Sequence, residues 1–107
     1  MSPELLESSV LTRYRAALEA LYGGRLERVV LFGSRARGDA GPDSDYDIAI
    51  FPRDDLNLME ESRALAELET DVLLDTGAVI TTIPLPASAH ARQTPLMQEI
   101  RRDGREI

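Results

Sequence analysis

Hydrophobic and polar residues follow two kinds of pattern along the chain, one typical of helices and one typical of strands. In three stretches the apolar residues recur every three or four positions, which is the spacing of a helix with one buried face. Three shorter stretches are rich in β-branched or aromatic residues and end near glycine or proline, as is typical of strands. Met59 and Met97 lie in two of the helical stretches and are predicted to pack in the core. The predicted helices cover about residues 3–22, 55–74 and 95–103, and the predicted strands about 28–32, 45–51 and 78–83.

The predicted helices have recognisable ends. Ser2 and Thr94 are each followed by a proline and are predicted N-caps. Asp54 or Asp55 is the predicted cap of the second helix, and Gly77 is its predicted end. The order helix, strand, strand, helix, strand, helix predicts an α/β (α+β) fold. We expect a small mixed or antiparallel sheet of about three strands packed with three to four helices.

Composition sets the broad class of protein. The chain has 107 residues, 43% hydrophobic and 29% charged, which is ordinary for one globular domain over residues 1–107. It has no cysteine, so disulfides and thiolate metal sites are excluded. No apolar run approaches the roughly 20 residues that cross a bilayer, and the first residues do not resemble a secretory signal. We therefore expect a cytoplasmic protein without membrane attachment.

The charge balance narrows the possible partners. Nineteen acidic residues against twelve basic ones give a net charge of −7, and all twelve basic residues are arginine. This balance disfavours generic nucleic-acid binding through a broad basic face. Arginine nevertheless carries a rigid fork of donors that fits phosphate or carboxylate. Local anion sites are therefore compatible with this acidic protein.

Two aspartates lie where the second predicted strand begins. Side chains alternate along a strand, so Asp45 and Asp47 are predicted to point to one face while Tyr46 and Ile48 point to the other. Two carboxylates this close repel each other, and a divalent cation removes the repulsion. Oxygen ligands of this kind suit Mg²⁺ or Mn²⁺, which also bind substrate phosphates. A D-x-D pair alone is a weak signal, because many such pairs only begin a solvated strand.

A glycine-serine turn precedes these aspartates. Gly33 and Ser34 follow the first predicted strand. A helical turn that begins there would direct backbone N–H groups and the Ser34 hydroxyl at a phosphate. Arg35 or Arg37 would add positive charge.

The spacing between the turn and the aspartates is far more restrictive than either part alone. The glycine and serine, ten further residues and the two aspartates spell G-S-x(10)-D-x-D and lead into an apolar strand. With this signature the chain resembles the DNA polymerase beta-like nucleotidyltransferases, specifically the short minimal nucleotidyltransferase (MNT) proteins of prokaryotes. Their loop typically reads G-S-R-A-R-G and then S-D-x-D, which residues 33–38 and 44–47 match. The specific match is confined to residues 31–51, and the order of elements extends the resemblance to nearly the whole chain.

The resemblance implies a role for each residue of the motif. The turn would hold the triphosphate of ATP, and the paired aspartates would hold Mg²⁺ or Mn²⁺. The cation would neutralise charge on the transferred α-phosphate and on the leaving pyrophosphate. The candidate nucleotide-binding residues are Gly33, Ser34, Arg35 and Arg37, and the candidate catalytic and metal-binding residues are Asp45 and Asp47.

One carboxylate of the family pattern has no counterpart here. Active members normally carry a third acid on the next strand, where it helps to hold a second metal and activates the attacking hydroxyl. The third predicted strand, AVITTI, contains no acid, and Asp71 and Asp75 precede it on or near the second helix. Three interpretations are open: a weak transferase, a transferase that uses Asp75 or a group of a partner, and a nucleotide-binding protein without activity.

The resemblance also implies a partner protein. MNT proteins are commonly encoded beside HEPN proteins, which are all-helical RNases, and form toxin–antitoxin pairs with them; some transfer AMP to a tyrosine of the toxin. We therefore expect a Mg²⁺-dependent nucleotidyltransferase that acts as the antitoxin of a HEPN toxin through an exposed apolar or mixed patch. One alternative is a nucleotide-binding module that neutralises the toxin by binding alone. Another is nucleotidyl transfer to a small molecule. The sequence leaves the oligomeric state open.

Overall fold

A mixed β-sheet forms the centre of the protein. The computed structural model describes residues 2–53 and 57–107. The strands within these ranges are β1 (Leu26–Phe32), β2 (Tyr46–Pro52), β3 (Ile80–Pro84) and β4 (Arg105–Glu106). They lie in the order β3, β2, β1, β4, with β1 antiparallel to both β2 and β4, and β2 parallel to β3.

Helices pack on both faces of this sheet. Ser2 and Thr94 cap the first and last helices as predicted, since each side chain accepts a hydrogen bond from a backbone N–H three residues further on. None of the helices in the described ranges is long and apolar enough to cross a membrane. The α-helices are α1 (Pro3–Tyr22), α2 (Ser34–Arg37), α3 (Leu58–Thr76) and α4 (Pro95–Asp103), with 3₁₀ turns at Gly23–Arg25 and Ala87–Ala91. The predicted fold class is confirmed, although the two residues of β4 were too few to give a sequence pattern.

Helix α3 begins later than the sequence suggested. Asn57 is its N-cap, and the Asn57 side chain accepts a hydrogen bond from the backbone N–H of Glu60. Asp54 and Asp55, the predicted caps, lie outside the described residues, and Asn57 takes that role because its amide oxygen is an equally good acceptor. Gly77 ends the helix as predicted, with a φ of +77° that favours glycine.

The two faces of β2 pack into separate cores. We call the core beneath α1 and α3 the helix-pair core, and the one beneath α4 the α4 core. Tyr46, Ile48 and Ile50 belong to the helix-pair core, whereas Ala49 and Phe51 belong to the α4 core. Alternation along the strand therefore places Asp47 on the α4 side of the sheet.

Candidate active site

The turn after β1 brings its glycine against an aspartate of β2. Gly33 has φ +73° and ψ −158°, a backbone conformation that is almost confined to glycine. A Cβ atom at this position would overlap Oδ2 of Asp47. The start of the G-S motif and the end of the D-x-D motif are therefore in direct contact, although they are distant in sequence.

A single helical turn follows this glycine. The N–H groups of Ala36 and Arg37 both donate to the Gly33 carbonyl oxygen at 3.1 Å, and Gly38 ends the turn with a φ of +83°. The predicted helical turn is therefore present. The first N–H groups of a helix, which here begin at Ser34, have no acceptor inside the helix itself.

The two aspartates lie at the start of β2 in different surroundings. Asp47 is half-buried on the strand and pairs in register with Phe32 of β1 and Thr81 of β3. Asp45 is exposed and precedes β2, so the prediction that both residues lie within the strand was wrong by one position. The reason is that regular pairing with β3 begins at Tyr46.

The electrostatic surroundings of Asp47 include a residue that the sequence did not indicate. Partial burial raises the pKa of the Asp47 carboxyl, the negative charges of Asp45 and Glu99 raise it further, and the Arg37 guanidinium lowers it. Glu99 lies on α4, outside any motif, and only the packing of α4 on the sheet brings it near. The ionised form of Asp47 is therefore destabilised, and a bound cation would relieve this.

The third carboxylate of the family pattern has no equivalent on β3. Thr81 stands beside Asp47 in the parallel register, and it carries a hydroxyl group. Asp75 forms an ion pair with Arg13, between α3 and α1. Because α1 and α3 cover the opposite face of the sheet from Asp47, this placement argues against Asp75 as a substitute.

Arg35 holds the loop between the two halves of the motif. Its Nε donates to the Ser44 carbonyl at 3.0 Å and its Nη2 donates to the Pro42 carbonyl at 3.3 Å. Its Nη1 donates to a Glu7 carboxylate oxygen at 3.4 Å, and the guanidinium lies 4.0 Å from the centre of the Tyr46 ring. These contacts fix the path of the loop into β2, and the Arg35 side chain is only 12% exposed.

Arg37 is the more accessible of the two predicted arginines. Its side chain is 37% exposed and its contacts are with carboxylates. The Nε donates to Asp39 at 3.1 Å, while Nη1 lies 3.7 Å from Glu99 and 3.9 Å from Asp103. The Arg37 guanidinium is therefore the better placed of the two to meet an anion near Asp47.

The carboxylate pair fits a magnesium ion that is also held by water and substrate. Among the described residues, no group of three or more acidic, histidine or cysteine side chains is arranged to hold a metal by itself. Asp45 and Asp47 would therefore supply only some of the ligands of such a cation, and Asp47 lies against the turn. Mg²⁺ commonly binds in this way, through one or two carboxylates together with waters and substrate phosphates.

A separate cavity is bordered by the same turn and loop. It has a volume of about 1020 Å³ and is lined by α1, by α2 and the loop after it, and by the end of the described chain. Arg35 and Arg37 contribute to its wall, but Asp45 and Asp47 do not. The candidate site predicted from the sequence therefore lies outside this cavity, which contains neither the acidic pair nor Ser34.

The family of the chain follows from comparison with known sequences. The family model described as "Polymerase beta, Nucleotidyltransferase" matches residues 21–107. The chain therefore belongs to the polymerase beta nucleotidyltransferase family, as its motif indicated. A relative from Methanocaldococcus jannaschii, "Putative protein adenylyltransferase MJ0604", is 36% identical over 77 residues, which are 72% of this chain and 71% of that protein. A second protein of the same organism and description, MJ0141, is 29% identical over 76 residues, which are 66% of this chain and 75% of that protein.

Several solved structures share the fold. One described as a putative minimal nucleotidyltransferase has a TM-score of 0.62 at 24% identity and covers 95% of both chains. A toxin–antitoxin structure with AMP-PNP has a TM-score of 0.62 at 22% identity and covers 87% of this chain and 68% of that one. A tri-AMPylated Shewanella oneidensis HEPN toxin in complex with an MNT antitoxin gives 0.57 at 21% identity, with 96% and 69% covered.

Proposed function

We propose that this protein is a Mg²⁺-dependent nucleotidyltransferase that moves AMP from ATP to a hydroxyl group of a partner protein. The observation that carries the proposal is the contact between Gly33 and Asp47, which joins the phosphate turn to the carboxylate pair. Phosphoryl-group transfer depends mainly on positioning and charge neutralisation. The turn would position the phosphates, and a cation held by the neighbouring carboxylates would neutralise their charge.

Each residue of the site has a separate task in this reaction. The backbone and hydroxyl of Ser34 bind triphosphate oxygens, and Asp45 and Asp47 hold Mg²⁺ or Mn²⁺. The cation supplies charge neutralisation at the α-phosphate and the pyrophosphate. The acceptor oxygen attacks the α-phosphorus, the bond to pyrophosphate breaks, and the hydroxyl proton passes to solvent or to a group of the partner, because β3 offers Thr81 in place of an acid.

The acceptor belongs to another protein if it is a tyrosine. All three tyrosines of this chain are buried, with at most 4% of any of them exposed. Tyr14 and Tyr22 lie on the buried face of α1, and Tyr46 lies in the same helix-pair core. None of them reaches the α4 side, where Asp47 lies. The toxin–antitoxin structures with the same fold support a HEPN toxin as the partner, with this chain as its antitoxin.

The net charge and the exposed apolar side chains of this protein suit such a complex. The net charge of −7 suits a basic RNase partner. Large apolar side chains are exposed on α1, on α3 and just before β3, and they could be covered by a second protein. They are Leu5, Leu6, Leu21, Leu58, Met59, Leu73, Leu74 and Val79. The cytoplasmic location expected from the sequence stays a prediction.

A second candidate is a module that binds nucleotide and masks the toxin without transferring AMP. Thr81 favours this alternative, because the position beside Asp47 on β3 lacks the acid that would take the proton from the acceptor. Removing a general base commonly lowers a rate by about 10²- to 10⁴-fold. Binding could therefore provide the inhibition while transfer is slow.

The decisive experiment is co-expression with the product of the neighbouring gene, which we expect to be a HEPN protein. Mass spectrometry of the partner is expected to find added AMP with the wild-type chain. Asp45→Asn combined with Asp47→Asn should lower the transfer at least about 10²-fold while part of the complex still co-purifies. Glu67→Gln combined with Asp71→Asn is the matched control, because it removes two charges from exposed positions of α3 on the other face of the sheet.

The outcomes separate the two candidates. A partner that the wild-type chain binds but never modifies would favour the masking module over the transferase. A chain that co-purifies with no product of a neighbouring gene would contradict the antitoxin role. Equal loss of AMP transfer in a control variant that still co-purifies with the partner would show that net charge, and not the aspartate pair, governs the reaction.

A further inference from the structure

Arg37 is held by carboxylates from two parts of the chain. Asp39 lies in its own loop and accepts from Nε at 3.1 Å. Glu99 and Asp103 lie four positions apart on α4, so they share one face of that helix. Their carboxylate oxygens are 3.7 and 3.9 Å from Nη1 of Arg37. The guanidinium is therefore drawn toward α4.

Helix α4 gives these carboxylates a fixed position. Met97 and Ile100 are buried in the α4 core. At Gly104 a Cβ atom would overlap the Ile100 carbonyl oxygen and lie 2.8 Å from Cγ1 of Val30, so the end of the helix touches β1 too closely for a side chain. The Asp103 side chain is only 14% exposed, and its Oδ2 also accepts hydrogen bonds from Nε and Nη2 of Arg102 at 3.1 and 2.9 Å. Glu99 and Asp103 are thus carried by a helix that is packed on the sheet.

Asp47 is a competing partner for the same guanidinium. The backbone N–H of Arg37 donates to the Gly33 carbonyl oxygen at 3.1 Å, and Gly33 lies against the Asp47 carboxylate, so the Arg37 side chain begins close to Asp47. A guanidinium can bind a carboxylate through two parallel hydrogen bonds, which would occupy both of its oxygens. An Asp47 carboxylate bound in that way could not also serve as a ligand of a cation.

We propose that Glu99 and Asp103 are positioning residues that tether Arg37 to α4 and thereby keep its guanidinium off Asp47. The inference rests on the proposed function, since the tether matters only where Asp47 binds a cation. The arrangement keeps a positive side chain within reach of a nucleotide's phosphates while it leaves the carboxylate free. Glu99 and Asp103 need not touch the metal or the nucleotide.

The first test is a binding cycle by isothermal titration calorimetry. The probe is Mg²⁺ with an ATP analogue that has a methylene group between the α- and β-phosphates, so no transfer occurs. Glu99→Gln combined with Asp103→Asn is expected to weaken binding roughly three- to tenfold. In a chain that already carries Arg37→Met, the same two substitutions should change the affinity by less than about twofold, because no guanidinium is left to move.

Two alternatives would overturn the proposal. An equal loss with and without Arg37 would mean that Glu99 and Asp103 act on the cation through their own charge. No loss in either chain would mean that Arg37 stays off Asp47 without them. Glu67→Gln combined with Asp71→Asn is again the charge-matched control, since these two residues are also four positions apart on an exposed helix face.

A second readout does not depend on nucleotide. In a crystal structure of the Glu99→Gln, Asp103→Asn variant, the Arg37 guanidinium is expected within hydrogen-bond distance of the Asp47 carboxylate. A guanidinium that keeps its place or turns to solvent would refute the tether. If the wild-type chain binds no Mg²⁺-nucleotide at all, the proposed function fails, whereas this structural result still decides where Arg37 goes.

Discussion

The two faces of the central sheet differ in how favourably their polar and charged groups are placed. On the helix-pair side the polar groups near β3 are paired: the Tyr14 and Thr82 hydroxyls share a hydrogen bond of 2.5 Å, and the Thr82 N–H donates to Glu69 at 2.8 Å. Burial there raises the pKa of Tyr14. On the α4 side Asp47 lies beside Phe32 at the start of β2, and partial burial and like charges destabilise its ionised form. One face stabilises the fold, and the other holds an unfavourable charge arrangement that a ligand would relieve.

The largest expected effect is a loss of stability on the helix-pair side. Leu18 is fully buried, so Leu18→Ala should lower the free energy of unfolding by about 2–5 kcal/mol in urea denaturation. Leu74 is 78% exposed on α3, and Leu74→Ala should change it by no more than about 0.5 kcal/mol. Nucleotide affinity per folded molecule should be unchanged in both. Similar stabilities for the two variants would refute the assignment of the core.

The next effect separates backbone strain from contact at the site. Gly33 and Gly38 both have positive φ, so alanine at either position should cost about 1–3 kcal/mol of stability. Only at Gly33 would the new methyl group also displace Asp47, because nothing lies within 4 Å of a Cβ atom at Gly38. Calorimetry with Mg²⁺-nucleotide should therefore show lost binding for Gly33→Ala and retained binding for Gly38→Ala. Equal losses would mean that the Asp47 contact is irrelevant.

A smaller effect distinguishes the two arginines of the motif. Arg35→Lys should lower stability by about 1–2 kcal/mol, since an ammonium group cannot reach the two carbonyls and the carboxylate at once. Arg37→Lys should stay within about 1 kcal/mol of the wild type, because its ion pairs are partly exposed. Thermal unfolding measures both. A larger loss for Arg37→Lys would reverse the roles given to these residues.

The smallest effect concerns pH. The pKa of Asp47 is raised in the folded state. As the pH rises past the ordinary aspartate pKa, Asp47 therefore loses its proton more readily in the unfolded chain than in the folded one. The free energy of unfolding falls as a result. Asp47→Asn removes this penalty. The variant should melt at a higher temperature than the wild type at neutral pH without metal, and the difference should vanish in acid, where Asp47 is protonated in both states. A difference that grows in acid would contradict the sign.

Much of the fold could be predicted from the sequence, because interactions between residues close together in the chain govern it. Ser2, Thr94 and Gly77 act where short-range capping chemistry places them. Met97 is buried as predicted, whereas the prediction for Met59 was wrong, since it is 76% exposed. Helical spacing predicts which side of a helix is buried. It does not predict how much of the length of that side is covered by other elements.

For the candidate site, the sequence alone determined the spacing of the motif, the alternation that sets Asp47 opposite Tyr46, and the family of the chain. These depend on residues close together in the chain. Only the tertiary structure decided that Gly33 touches Asp47, that Arg35 binds the loop before β2, and that Glu99 on α4 lies near Asp47. Such contacts depend on how the turn, the loop and the helices pack on the sheet, which no local pattern of residues specifies.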